Sequence, residues 1–338
     1  MKFGSVPINE AVGALAAHTV SAGGFVLKKG SLVSEAHVES LKAAGVISIV
    51  VARLEADDVG EDEAASRVAQ AVAGKHVEVF QPFTGRSNLH AGRSGVLVID
   101  KEAIDRLNNV DEAITVATLP AYKPVVEGEM IGTVKIIPYA VPRHLLDQAL
   151  HVAAQPAISV APYMRRNVGV ICTLSPMLKP SIVTKTLDVL ARRLAAAEAS
   201  ICSETRIPHD TVALQSEIAR LAAGPADLII VFGASAIADR RDVIPAALTA
   251  AGGQVEHFGM PVDPGNLLMV GSIGGKPVLG APGCARSPKE NGFDWVLHRC
   301  LADIPVRRQD ITSLGVGGLL MEIVSRPQPR AGGHSEEE

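Results

Sequence analysis

The chain has 338 residues, enough for two or three domains, with 47% apolar residues, only 3% aromatics and a formal net charge of −4. That balance excludes a broad basic field for a nucleic-acid backbone. An interior of Ala, Val, Leu and Ile suits tightly packed parallel strands better than a Trp- or Tyr-rich sandwich. The 4 cysteines show no C-x-x-C spacing and the 10 histidines no H-x-x-x-H pair, which argues against a preformed zinc or iron–sulfur site and for reduced thiols in a cytoplasm.

In chain order, "NEAVGALAAHTV" (9–20) reads as an amphipathic helix, without the cleavage pattern of a signal peptide. "GGFVLKKGSLV" (23–33) reads as a hairpin. "SEAHVESLKAAG" (34–45) predicts a helix with Ser34 as N-cap and Gly45 just past its end, and "VISIVVARL" (46–54) a strand. An acidic helical run follows over 59–73. Strands then flank a polar, basic, glycine-containing loop at 84–95, which carries Arg86, Asn88, His90 and Arg93 and could line a ligand cleft or simply be solvated. Residues 125–142 are β-rich with "EGEM" as a turn, and 143–154 are helical. The two prolines and basic pair of "QPAISVAPYMRRN" (155–167) suggest a domain junction.

From Val168 strands and helices alternate regularly, which predicts an α/β fold: a doubly wound, mostly parallel sheet at 167–305 after an α+β, β-rich accessory region at 1–160 that could hold two subdomains. A β/coil extension over 306–325 and a disordered, polar tail over 326–338 complete the expected layout. No stretch approaches the roughly 20 apolar residues of a membrane span.

Ligands of such sheets lie beyond the carboxyl ends of the strands, which singles out three loops. In the first, Thr173 and Ser175 offer hydroxyls but no carboxylate. The second, Gly233 to Asp242, joins Gly233, Ala234 and Ser235, small enough to let main-chain N–H groups approach a phosphate, to Asp239, Arg240, Arg241 and Asp242. Those four charges could clamp an anion and hold Mg²⁺, or could be an ordinary solvated helix start. The third, Pro282 to Ser287, places Pro282, Gly283, Cys284 and Arg286 before a helix start with Ser287 as N-cap, Pro288 at its first position and Glu290 completing a capping box. An anion fits there. Cys284 is either a thiol activated by that helix end or a small filler.

The segment from Val168 to about Pro305 resembles the molybdopterin-binding domain shared by molybdopterin adenylyltransferases and molybdopterin molybdotransferases of the gephyrin E-domain type. "ADLIIVFGASAIADRRDVIPAAL" (226–248) looks like the family's strand, Gly-rich turn and Arg-Asp-Val-x-Pro helix start. "GMPVDPGNLLMVGSIGGKPVLGAPG" (259–283) looks like its Pro-Gly-Lys-Pro segment, hairpin and Leu-Pro-Gly-Asn-Pro loop. "GGFVLKKGSLVSEAHVESLKAAGVISIVV" (23–51) is more faintly similar to molybdotransferase accessory regions. The resemblance implies molybdopterin, free or adenylylated, bound across the strand ends, with Pro264 and Gly265 joining the binding residues. Asp242, or Asp239 if the loop is one residue longer, would hold Mg²⁺ for molybdate insertion.

The sequence departs from the family at several points. Leu174, Ser175 and Pro176 stand where molybdotransferases carry Gly-Asp-Glu. Asn266 and Leu267 replace Lys-Pro, and Cys284 and Ala285 replace Asn-Pro. Three functions follow as expectations: a molybdotransferase; a non-catalytic carrier of molybdopterin or finished cofactor serving a nucleotidyltransferase or a molybdenum hydroxylase; and a nucleotide pyrophosphatase of the competence-damage-inducible type. A homo-oligomer is expected in each case, with no nucleic acid and no membrane as partner.

Overall fold

The computed structural model describes residues 1–176 and 179–320. The expected tail at 326–338 lies outside them. The chain divides into two compact units, Met1–Pro162 and Tyr163–Glu338.

The first unit is β-rich. Lys2–Pro7, Ser48–Arg53 and Leu15–Ala16 form a small antiparallel sheet, beside the hairpin Val20–Ala22/Phe25–Leu27. The helix Glu35–Ala43 starts where its cap predicts, with Ser34 Oγ accepting from the His37 amide at 3.3 Å, and Gly45 follows with a φ of 78°. A further antiparallel sheet, ordered Ile114–Thr118, Met130–Ile136, Arg86–Ala91, Val77–Val79, packs against the helix Glu61–Val72, whose Ala64, Ala65, Val68 and Val72 enter a common core with Leu89, Ile131 and Val134.

Two expectations fail here. The helix over 9–20 is instead a 3₁₀ turn at Ile8–Glu10 and the short strand Leu15–Ala16, paired with Ala52 and Val51. A helical run this short is marginal by itself, so pairing with a formed strand outweighs its periodicity. The loop over 84–95 is largely the strand Arg86–Ala91, in which Ser87, Leu89 and Ala91 alternate inward while Arg86, Asn88 and His90 alternate outward. Polar composition hid a period of two.

In the second unit β1 (Asn167–Leu174), β2 (Ser200–Pro208), β3 (Leu228–Phe232), β4 (Gln254–Phe258), β5 (Met269–Ile273) and β6 (Lys276–Ala281) form one sheet ordered β2-β1-β3-β6-β5-β4. The first four in that order are parallel, and the β5–β6 hairpin makes the far edge antiparallel. The helices α1 (Pro180–Ala195), α2 (Thr211–Ala223), α3 (Val243–Ala250) and α4 (Gly292–Leu301) connect or follow the strands. The wholly buried run Leu228–Phe232 is what a central parallel strand covered on both faces requires. Ile229 and Val231 share a core with Leu214, Ile218, Ile244 and Leu248 of α2 and α3. Beyond α4 come a short helix, Arg308–Thr312, and a parallel bridge from Leu319 to Asp263. Among the described residues no helix is long and apolar enough to cross a membrane.

Candidate functional site

Because β1, β3 and β6 are neighbours, the loops leaving their carboxyl ends emerge side by side. Hydrogen bonds tie them together. The Ala234 amide donates to Thr173 Oγ1 at 2.9 Å, and Arg286 donates from Nη2 to the Gly233 carbonyl at 2.9 Å and from Nη1 to Thr186 Oγ1 of α1 at 3.0 Å.

The β3 loop is small-residued for reasons of packing. A Cβ on Gly233 would meet the Ser235 carbonyl at 2.7 Å, because the chain doubles back there, and Gly280 of β6 leaves room for the buried Ile237. Its four charges are spent largely on the loop itself. Asp242 caps α3: Oδ1 accepts from the Val243 amide at 2.8 Å and Oδ2 from the Ala238 amide at 3.1 Å. Asp239 accepts from Arg241 Nε at 2.7 Å and from the Arg241 amide at 2.9 Å, and that guanidinium holds its carboxyl below the usual range. Arg240 donates to the Val255 carbonyl at 3.3 Å. The amides of Ser235, Ala236 and Ile237 have no acceptor among the described residues, so this turn still offers N–H groups at the strand ends.

The β6 loop differs from expectation. Gly283–Arg286 is a single 3₁₀ turn ending at Ser287, and α4 begins at Gly292 with Asn291 as N-cap and Asp294 closing its capping box. Ser287 Oγ instead accepts from the Lys289 amide at 3.3 Å, and Glu290 accepts from the Trp295 indole at 2.8 Å. Arg193 of α1 competes with a helix started at Pro288. It donates to the carbonyls of Ala285 at 2.8 Å, Ser287 at 2.7 Å and Lys289 at 3.2 Å, and pairs with Asp294; the last two carbonyls are ones that such a helix would use for its own hydrogen bonds. The helix start expected at Ser287 therefore lies at Gly292, with Asn291 as its cap. Cys284 is half-buried and burial pushes its thiol up, the opposite of the shift that activation by a helix end would bring.

Pro264 and Gly265 sit at the start of α4. The Gly292 amide donates to the Pro264 carbonyl at 2.9 Å, and a Cβ on Gly265 would meet that amide at 2.7 Å, at a φ of 141°. Ser175 is half-buried at the end of β1, just ahead of residues 177 and 178, which are outside the description.

Arg286 dominates the electrostatics. Its guanidinium lies 5.5 Å from the centre of the Phe232 ring, is half-buried, and has its pKa lowered by that burial. Only two of its five N–H donors are engaged by the described residues, both by neutral acceptors. Among those residues no carboxylate lies within ion-pair distance of it. The sequence flagged Arg286 but missed His209, which bonds to both Thr173 and Ser235. The same strand-end rule, applied to β2, points at it.

A doubly wound sheet with a cationic, N–H-bearing cluster at its carboxyl ends is the architecture in which α/β domains hold small ligands at the strand termini. Residues 169–302 match the family model described as "Probable molybdopterin binding domain". Residues 5–53 match a model described as a domain of unknown function. No curated protein matches. Among solved structures the chain is similar to a molybdopterin biosynthesis moea protein from Pyrococcus horikosii, at 14% identity, 90% of this chain, 75% of that one and a TM-score of 0.31. It is similar also to the protein CinA from Thermoplasma acidophilum, at 18% identity, 42% of this chain, 99% of that one and a TM-score of 0.28. Likenesses at these scores carry no weight for the site.

Proposed function

We propose that the second unit binds molybdopterin for molybdenum cofactor biosynthesis, with the terminal phosphate taken by Arg286 and the open amides of the β3 turn. The observation that carries this is the Arg286 guanidinium, held half-buried across Phe232 with no carboxylate partner among the described residues, beside a turn of small residues. A buried guanidinium is costly unless an anion pairs with it, and phosphate suits its forked donors. Mass spectrometry of the small molecule that co-purifies with the native protein tests the reading; a pterin phosphate is expected, and a ligand of another class would refute it.

Of the finer readings, the carrier is favoured over the molybdotransferase. Molybdate insertion calls for a divalent cation, and the two candidate carboxylates are already engaged within the β3 loop. Among the described residues no three His, Cys, Asp or Glu side chains gather as ligands, Asp242 is occupied as a cap, and Asp239 is paired with Arg241. A carrier would pass its cargo to a nucleotidyltransferase or a molybdenum hydroxylase, and a homo-oligomer would multiply its sites. Release of AMP from adenylylated molybdopterin, dependent on molybdate and Mg²⁺, would restore the molybdotransferase. Hydrolysis of ADP-ribose would point instead to a nucleotide pyrophosphatase.

A further inference from the structure

Thr173, at the end of β1, is fully buried at 0% exposure. Its Oγ1 accepts from the Ala234 amide and lies 2.7 Å from His209 Nδ1, while His209 Nε2 lies 2.9 Å from Ser235 Oγ. A threonine hydroxyl carries one hydrogen, and a buried one needs an acceptor. Among the described residues that acceptor is His209 Nδ1. With Nδ1 accepting, the neutral ring keeps its proton on Nε2 and donates it to Ser235 Oγ; this assignment follows from counting donors and acceptors along the chain. The hydroxyl hydrogen of Ser235 is thereby turned away from the ring. Ser235 is exposed, two residues beyond the Gly233 carbonyl that Arg286 holds.

We propose that His209 is a positioning residue of the candidate site: through the Thr173–His209–Ser235 chain it fixes the Ser235 hydroxyl as a hydrogen-bond donor to an anionic oxygen of the ligand. The identity of that ligand rests on the molybdopterin reading; the polarity of the chain does not. The same polarity separates this trio from a hydrolytic relay of similar spacing. A serine nucleophile needs a ring nitrogen free to take its proton, and here Nε2 already carries one. Ser235 holds the ligand and does not attack it.

Two experiments on the full chain test this. Long-range ¹H–¹⁵N spectra of histidine-labelled protein read the tautomer of His209. The expected result is a proton on Nε2, with the preference lost in Thr173→Val; a ring protonated at Nδ1 overturns the inference whatever the ligand. Calorimetric titration with molybdopterin then reads the donor. Ser235→Ala is expected to weaken binding about tenfold, the scale of one hydrogen bond to a charged group, and Ser235→Thr to recover most of it. His209→Ala should cost a similar factor, and the double variant no more than either single, because the two residues act in series. An affinity unmoved by Ser235→Ala, additive losses, or labelling of Ser235 by a fluorophosphonate overturns the inference. If the unaltered protein fails to bind molybdopterin, the proposed function falls, and the tautomer experiment still decides the polarity.

Discussion

Arg193 of α1 and Arg286 both hold the loop after β6, the first from outside it and the second from within, and are built alike up to a point. Each guanidinium lies over a phenylalanine, Phe293 at 5.9 Å and Phe232 at 5.5 Å, and each donates to main-chain carbonyls. Arg193 also has a carboxylate, Asp294, with side-chain exposures of 9% and 13% for the pair. Arg286 has none among the described residues. The first arrangement is complete in the protein alone and serves the fold. In the second, the described residues supply only the positive charge, which is the arrangement expected of the proposed anion site and not of a structural ion pair.

Substitutions can break this comparison. Arg193→Met should be the most damaging, since it strands the Asp294 carboxylate and releases the carbonyls of Ala285 and Ser287. A loss of about 3–5 kcal/mol is expected from the urea midpoint. A loss below about 1 kcal/mol would mean that the pair is ornamental. Asp242→Ala should cost about 1 kcal/mol, the worth of a helix cap, while leaving molybdopterin affinity within about twofold. A collapse of binding would return Asp242 to the site. Arg286→Met should change stability least, within about 1 kcal/mol, because two hydrogen bonds to neutral acceptors are exchanged for relief from burying a charge. Finally, burial pushes the Cys172 thiol up to about 11 and Cys300 up to about 12, whereas Cys202 is exposed. At pH 8 an alkylating reagent should label Cys202 and spare the other two until the protein is unfolded; early labelling of Cys172, beneath the Arg286 loop, would mean that the loop opens.

The sheet was legible because short apolar runs alternate with helix-length segments: Leu228–Phe232, brief, β-branched and followed by Gly233, suits a strand buried on both faces, and Thr211–Ala223 precedes it as a helix. Strand order then made neighbours of loops far apart in sequence, and the strand-end rule located the cluster without any contact being known. The failures came where tertiary contacts outweigh local signals. Pro288 and Glu290 describe a good helix start, but a residue about a hundred positions earlier, Arg193, claims the carbonyls that helix would need. Asp242 looks the same in sequence whether it faces a cation or its own backbone. His209 carries no motif, and its role exists only through Thr173 and Ser235.

Calorimetric titration of molybdopterin into the intact chain and into Arg286→Met, with both shown to be folded, tests the account most directly. It predicts saturable heat for the intact protein and an affinity lower by about a hundredfold in the variant, the scale of a charge-assisted phosphate contact. Equal affinity in the two proteins, or no heat in the first, would contradict it.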